Sequence, residues 1–555
     1  MTGSGINPFF LLMIGVPISM LIIPIAWKLA PHLGMLDTPD ARKVHSVPIP
    51  RIGGWGIVAG SLLPILIVLQ IDRLLQSFLA GGLILFVFGL WDDAKQISHW
   101  FKFIGQFGAA AAVVYYGGLY VSDWPFVGET IPTAASQAIT VIALMGMINA
   151  INHSDGLDGL AGGESMLSLI AIANLGYLAS NDLIIALALS TMGGIIGFLR
   201  YNTHPAQVFM GDSGSQFLGF SLGFFAIYVT QVALPAMSSA LPLLFLGLPI
   251  SDILVVLYKR VKGKMNWFKA TRNHVHHRLL DLGFDHYETV VVIYSVQALL
   301  VTLAVLLRYQ SDLLVTCTYF GVIITFFVLL TVAEERGWKR RTIGISGIAF
   351  VVEALRTNER FKTLPLSVIS VLLPAFMLSG ALMTSNVPRD FGVVAGVLAL
   401  LVIIEIVMKR DQGSLVTRMS MYVTAVFSSY LFAHYGPPGS VAQTMSVASI
   451  VMLAIAVGVF IRYTSEQVFG STPTDYLIVF GVVALLVFGG IDGKARATIQ
   501  TIIYSVVLLY GCEATLGHAA RRWNPLTIST VVCLLTLAAR GLLDLDSPIL
   551  NFAIN

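Results

Sequence analysis

Residues 149–163 read NAINHSDGLDGLAGG and stand between two apolar runs, 138–148 and 166–178. An apolar run, a short polar turn and a second apolar run predict two membrane-spanning helices joined at a bilayer surface. Within the turn, Asn149, Asn152, Asp155 and Asp158 recur at a strict spacing of three. On a helix running into a tight turn, that spacing brings four oxygen-bearing side chains roughly into line. Gly156, Gly159, Gly162 and Gly163 let the backbone bend and come close to a ligand. Amide and carboxylate oxygens are what a hard cation such as Mg²⁺ takes.

The rest of the chain repeats this alternation. It has 555 residues, is 56% hydrophobic and only 11% charged, and its mean hydropathy is +0.82. So little charge cannot cover the surface of a soluble protein of this size, which leaves an all-α polytopic membrane protein. Apolar runs near 8–29, 54–71, 77–92, 102–120, 135–150, 165–180, 183–200, 215–233, 239–258, 288–307 and 312–332 make about eleven spans. About seven more follow near 364–384, 391–408, 417–434, 443–461, 475–490, 498–514 and 525–543. The N-terminus lacks the basic region of a cleavable signal peptide, so the first run is expected to be a retained span. Cys317, Cys512 and Cys533 lie in or beside apolar segments without CxxC spacing and are expected to be packing residues. The net charge of +3 gives no reason to expect nucleic acid as a partner.

The loops carry an orientation. Lys28, Arg42, Lys43, Arg51, Lys95, Lys102, Arg200, the loop 259–278, the stretch 334–362, the loop 409–418 and Arg521–Arg522 fall on one side. The opposite loops hold few cations: Arg73, Arg308, Arg389, Lys494 and Arg496. Cytoplasmic loops are the basic ones, which puts the N-terminus outside and residues 149–163 at the cytoplasmic face. Residues 334–362 are the longest charged stretch, and every polar motif precedes them. The expected organisation is therefore a membrane core at 1–333, a basic connector at 334–362 and a further multi-span domain at 363–555. That last domain has few internal charges and no motif cluster, which suggests a bundle for assembly or partner docking.

Four other motifs share the cytoplasmic face. Asp92 and Asp93 end the third span, where a solvated helix end is the plain alternative to function. Neighbouring helical residues point about 100° apart, so one carboxylate would approach a metal while the other orients or deprotonates an acceptor. Residues 208–215 read VFMGDSGS; Asp212 offers a metal ligand, and the amides of the following helix would attract phosphate. Taken alone, such a turn is more often a helix cap than a site. Residues 271–278 read TRNHVHHR. Arg272 and Arg278 bracket the three histidines with charge that opposes a bound cation, so His274, His276 and His277 fit a pyrophosphate better than zinc. A juxtamembrane loop holding anionic headgroups is the simpler account. In the first inner loop, prolines stiffen a segment whose Arg42, Lys43 and His45 would hold an anionic lipid head. A transporter would place its polar residues at mid-span, whereas these lie at span ends on one face. Carboxylates, metal-type oxygens, helix-terminal amides and cations together are an inventory for phosphoryl chemistry at a membrane surface.

This ordered set of motifs resembles the polyprenyl-phosphate N-acetylhexosamine-1-phosphate transferases over about residues 1–345. Asp37–Gly54 is similar to the family's Arg-Lys-x-His loop, Asp92–Asp93 to its Asp-Asp motif, and 149–163 to its NxxNxxDGxDGLAGG. Likewise 208–215 is similar to its FMGDxGS, and 274–279 to its HIHHRL loop. The resemblance implies transfer of a sugar-1-phosphate from a UDP-N-acetylhexosamine to undecaprenyl phosphate, with release of UMP. Mg²⁺, or Mn²⁺ in its place, is the implied cofactor. By resemblance Asn152 and Asp212 are metal ligands, and Asp92, Asp93, Asp155 and Asp158 are catalytic or nucleotide-binding acids. His274, His276 and His277 would serve catalysis at the diphosphate or sugar. Arg42, Lys43, His45, Lys102, Asn149, Arg272 and Arg278 would bind substrate. The His-x-His-His-Arg form is closest to the branch using UDP-GlcNAc, with UDP-FucNAc or UDP-QuiNAc as alternatives, so initiation of a cell-envelope glycan such as O-antigen is expected. A bacterial inner membrane, the lipid bilayer and a second copy in a homodimer complete the expected setting. His153–Ser154 replaces a more usual apolar pair, Ala270–Thr271 stands where Pro-Asp often precedes the arginine, and 364–555 has no counterpart in the usual member.

Overall fold

A computed structural model describes residues 8–38, 47–126, 131–264, 273–339, 359–407, 415–436, 441–463, 493–516 and 525–543. The chain divides into two compact units, 1–341 with 472–484 and 342–471 with 485–555. Among the described residues, ten helices are long and apolar enough to cross a membrane. The protein is an all-α polytopic membrane protein, and the run expected near 475–490 lies outside the described residues.

The first unit runs α1 (Phe9–Leu33), α2 (Gly53–Val68), α3 (Arg73–Lys95), α4 (His99–Ala111), α5 (Thr133–Ser154), α6 (Leu160–Leu178) and α7 (Asp182–Asn202). It continues with α8 (Gly211–Tyr228), a short α9 (Pro242–Phe245), α10 (Gly247–Lys262), α11 (Val275–Asp281), α12 (His286–Leu306) and α13 (Asp312–Glu335). A π-helical turn, Ala112–Tyr116, lengthens α4, and another, Val229–Ala233, lengthens α8. Polar side chains start the helices where the sequence supplies them: Asp72 accepts from Leu75 N at 2.8 Å, and Asp285 with Glu288 forms a capping box on α12.

Lipid tails are as apolar as leucine, so close packing rather than the hydrophobic effect must hold such helices together. Glycine supplies it. A Cβ at Gly15 of α1 would lie 2.6 Å from Gly60 O of α2, and one at Gly194 of α7 would lie 2.5 Å from Ile57 O. These contacts bring α1, α2 and α7 together backbone to backbone.

The central element is α8, whose side chains from Ser213 to Tyr228 are all buried. Its Phe217, Phe220, Phe224 and Phe225 surround Phe78 of α3 with ring centroids 4.9–6.4 Å apart. At its start, a Cβ on Gly89 of α3 would stand 2.4 Å from Ser213 Cα, and one on Gly54 of α2 would stand 2.4 Å from Gly214 N. The start of α8 is thus held against the last turns of α3 and the first turn of α2. A two-residue antiparallel pair, β1 (Leu36–Asp37) with β2 (Ile49–Pro50), is the one sheet among the described residues. It docks the segment from β2 to the start of α2 on this point: Phe209 N donates to Pro50 O at 2.8 Å and Gly54 N to Met210 O at 2.8 Å.

The second unit contains α14 (Glu359–Met383), α15 (Arg389–Val407), α16 (Leu415–Tyr435), α17 (Val441–Tyr463), α18 (Gly493–Leu516) and α19 (Pro525–Leu543). Among its described residues a buried charge, Arg540 of α19, is satisfied at the end of α14 by Ala381 O at 2.8 Å and just beyond it by Thr384 O at 2.6 Å and Thr384 Oγ1 at 3.2 Å. A buried guanidinium needs such acceptors, because an unpaired one would be costly.

Candidate active site

The end of α3 and the start of α8 meet through two carboxylates that point apart. Asp93 turns toward α8, accepting from Asp212 N at 2.8 Å, Ser213 N at 3.1 Å and Ser213 Oγ at 2.8 Å. The first amides of α8 are therefore occupied by Asp93, not left for the phosphate that the sequence suggested. Gly211 makes room for this cap: its φ is +73°, and a Cβ there would lie 2.7 Å from both Asp93 oxygens. Asp92 turns the other way, and its Oδ2 is 2.7 Å from Lys102 Nζ. The same ammonium is 2.7 Å from Asp212 Oδ2. One cation thus bridges two acids that adjoin in space but lie 120 residues apart in the chain.

Asn152, in the last turn of α5, donates to Asp212 Oδ1 at 3.2 Å and to Ser215 Oγ at 2.8 Å. Gln216 adds a 3.1 Å bond to Asp212 Oδ2. Asn149, one turn earlier, does not reach this group. It donates to Gln106 at 2.7 Å, and Gln106 in turn approaches Gln216. It supports the acids from behind.

α5 ends at Ser154, so the line of four oxygens breaks there. Asp155 lies on the turn with Asp212, Asp158 and Asp93 as negative neighbours. Burial first, and those charges second, push its carboxyl up to about 7. Asp158 faces a different group: His204 Nδ1 at 2.6 Å and Ala206 N at 3.0 Å. Burial works against its charge, but these hydrogen bonds prevail and hold the carboxyl below its ordinary value. His286 stacks on His204 with centroids 4.0 Å apart and approaches Asp158 O at 3.2 Å. The turn is tied down by Asn202, which accepts from Gly159 N at 2.8 Å, and by Tyr294, which donates to Gly159 O at 2.7 Å.

The histidine loop closes one side. His153 stacks on His274, centroids 5.5 Å apart, and His274 on His276 at 5.8 Å. His276 packs against Gly156, where a Cβ would lie 2.3 Å from its Nε2. Burial, then the neighbouring His277, push the His276 imidazole down to about 3, so it is neutral. His277 packs on His276 at 4.3 Å. Arg278 is buried and turned away, with Nε 2.7 Å from Glu334 Oε1 and Nη2 2.8 Å from Oε2. Nη2 also donates to Thr331 Oγ1 at 3.0 Å, so Glu334 and Thr331 together engage this guanidinium. Arg42, Lys43, His45 and Arg272 lie outside the described residues.

Several members of the site were not among the expected residues. Asp252 of α10 receives His274 Nδ1, Glu164 of α6 accepts from Ser154 Oγ, and His204, His286, Gln106, Asn202 and Tyr294 brace the acids and the turn. An acid within an apolar helix is itself a signal, and Asp252 and Glu164 both qualify. The histidines and amides carry no such mark.

A family model described as Glycosyl transferase family 4 matches residues 75–230. The chain is 32% identical over 321 residues to the probable undecaprenyl-phosphate N-acetylglucosaminyl 1-phosphate transferase of Bacillus subtilis (strain 168), covering 57% of this chain and 89% of that protein. It is 28% identical over 321 residues to the undecaprenyl-phosphate alpha-N-acetylglucosaminyl 1-phosphate transferase of Escherichia coli (strain K12), covering 57% and 87%. Decaprenyl-phosphate N-acetylglucosaminephosphotransferase of Mycobacterium tuberculosis (strain ATCC 25618 / H37Rv) is 29% identical over 303 residues, covering 48% and 74%. The chain belongs to the polyprenyl-phosphate N-acetylhexosamine-1-phosphate transferase family.

Proposed function

We propose that the protein transfers N-acetylglucosamine-1-phosphate from UDP-GlcNAc to undecaprenyl phosphate, releasing UMP, at the cytoplasmic face of a bacterial inner membrane. The observation that carries this reading is the bridge of Lys102 between Asp92 and Asp212, beside Asn152. A cation flanked by acids and an amide suits a diphosphate neutralised partly by protein and partly by a divalent ion.

The donor set fits Mg²⁺. Asp92 Oδ1 is buried and has no hydrogen-bond partner among the described residues. Asp212 and the amide oxygen of Asn152 complete a group of hard oxygens with no sulfur. When bound, Mg²⁺ would neutralise charge on the diphosphate and on the leaving UMP.

The residues then divide the work. Asp93 fixes the start of α8 and thereby the Asp212 carboxylate. Lys102 keeps two acids together that would otherwise repel, and offers its ammonium to phosphate oxygens. In the transfer, an oxygen of the lipid phosphate forms a bond to the β-phosphorus of the donor. The bond from that phosphorus to the bridging oxygen breaks, and UMP departs. A phosphomonoester has a second pKa near about 6, so the acceptor arrives largely dianionic and needs orientation more than deprotonation. Purified protein with UDP-GlcNAc, undecaprenyl phosphate and Mg²⁺ should yield UMP. Absence of UMP with every UDP-N-acetylhexosamine tried would overturn the reading.

A further inference from the structure

We infer that Asp252 is the positioning residue of His274: it grips Nδ1 and the backbone beside it, and turns the Nε2 lone pair toward a hydroxyl or N–H group of the donor. The inference rests on the function proposed above.

Asp252 lies in α10, a helix of another segment, and is 7% exposed; His274 is equally enclosed at 7%. One carboxylate serves two donors. Its Oδ2 is 2.7 Å from His274 Nδ1, and its Oδ1 accepts from Val275 N at 2.9 Å. Val275 N is the first amide of α11, so the same side chain caps that helix and anchors the residue before it. A carboxylate only accepts, so Nδ1 must carry the hydrogen of this bond. That leaves Nε2 as the outward atom, and it makes no hydrogen bond among the described residues.

The ring also has a fixed plane. His153 lies on one neighbouring side with an interplanar angle of 22°, and His276 is nearly parallel at 9°. His153 immediately follows Asn152, whose amide nitrogen holds Asp212. The stack therefore ties the orientation of His274 to the acids of the site. With Nδ1–H held by the carboxylate, Nε2 presents a lone pair that can accept a hydrogen bond from a hydroxyl or N–H group of the donor, which an Nε2–H tautomer cannot do. This is a supporting role, since Asp252 itself touches none of the reacting atoms.

The test uses full-length protein in detergent and three variants: Asp252→Asn, His274→Ala and the two combined. Asparagine keeps the size of the side chain and an oxygen for Val275 N. Its NH₂ donates to Nδ1 instead, which moves the ring hydrogen to Nε2. In ¹⁵N spectra of histidine-labelled protein, the signal lost in His274→Ala identifies that ring. It should report Nδ1–H in the wild type and Nε2–H in Asp252→Asn. Asp252→Asn should lower kcat for UMP release about 10-fold or more, with KM for UDP-GlcNAc changed by less than about 3-fold. The combined variant should fall no further than His274→Ala alone. A His274 signal unchanged by Asp252→Asn would overturn the inference whatever the activity, as would losses that multiply in the combined variant. If the wild type releases no UMP while the ring hydrogen still moves with Asp252→Asn, the transferase reading fails and the Asp252–His274 pairing stands.

Discussion

Replacing Lys102 by methionine keeps the length of the side chain and removes the charge that bridges Asp92 and Asp212. Each acid oxygen is 2.7 Å from Nζ, so the two oxygens are separated by at most twice that, about 5.4 Å. Two like unit charges at that separation repel by about 3 kcal/mol at an effective dielectric of 20, which suits partly exposed groups. The wild-type ammonium suppresses that repulsion, and a divalent cation competing for the same oxygens must do so against it. In Lys102→Met the pair should bind Mg²⁺ more readily, and 3 kcal/mol corresponds to as much as about a hundredfold in half-saturating concentration. Turnover should fall all the same, because the diphosphate loses a cation that Mg²⁺ at the carboxylates does not replace. The assay is UMP release at saturating UDP-GlcNAc and undecaprenyl phosphate across a Mg²⁺ titration, with Lys102→Arg as a charge-retaining control. Lower kcat together with a lower half-saturating Mg²⁺ is the expected pair of results. A half-saturating Mg²⁺ that is unchanged or raised would show that lysine and metal do not share these oxygens, and the proposed assignment of the site would fail.

Three further outcomes follow from packing and charge. A Cβ at Gly163 would lie 1.9 Å from the hydroxyl and 2.2 Å from Cζ of the fully buried Tyr294. Gly163→Ala should therefore cost about 1–3 kcal/mol, read as a lower Tm, and a second change, Tyr294→Leu, should recover part of it; a wild-type Tm for Gly163→Ala would refute the packing. His276 is held near about 3 in the fold against 6.5 when free, so its contribution to stability is complete above pH 6.5 and is lost as pH falls toward 3. His276→Asn should flatten the decline of Tm between pH 6.5 and 4, and an unchanged slope would mean that this ring is not buried neutral. Arg278→Ala and Glu334→Ala should each lower Tm, by less than a fully enclosed pair would because Glu334 is 35% exposed, and should leave KM for UDP-GlcNAc unaltered. A raised KM for Arg278→Ala would return that guanidinium to the substrate.

Much of the fold was legible because spanning helices are written in composition: apolar runs of about 20 residues need no tertiary knowledge to be seen. The acids of the site were legible for a related reason. Carboxylates at span ends are rare enough to stand out, and Asp92, Asp93, Asn152 and Asp212 do meet. Their division of labour was not. A step of about 100° says that Asp92 and Asp93 diverge, but not that Asp93 takes the amides of α8. Only the approach of two helices through Gly89, and the positive φ of Gly211, settles which acid becomes the cap.

The same limit governs the repeat of three that runs from Asn149 to Asp158. Its periodicity assumes a continuing helix, yet α5 stops at Ser154 and the next residues must pass under His276. At Gly156 even one carbon would strike that ring, so the turn is set by a side chain 120 residues away in sequence. As a result, four oxygens at equal spacing serve different neighbours. Asn149 braces Gln106, Asn152 holds Asp212, Asp155 sits among like charges, and Asp158 pairs with His204. Spacing along a chain identifies which residues can share a face. Which of them share a ligand depends on where the helix ends, and here that is decided by a distant histidine, itself held in the loop that Asp252 anchors through His274 and Val275.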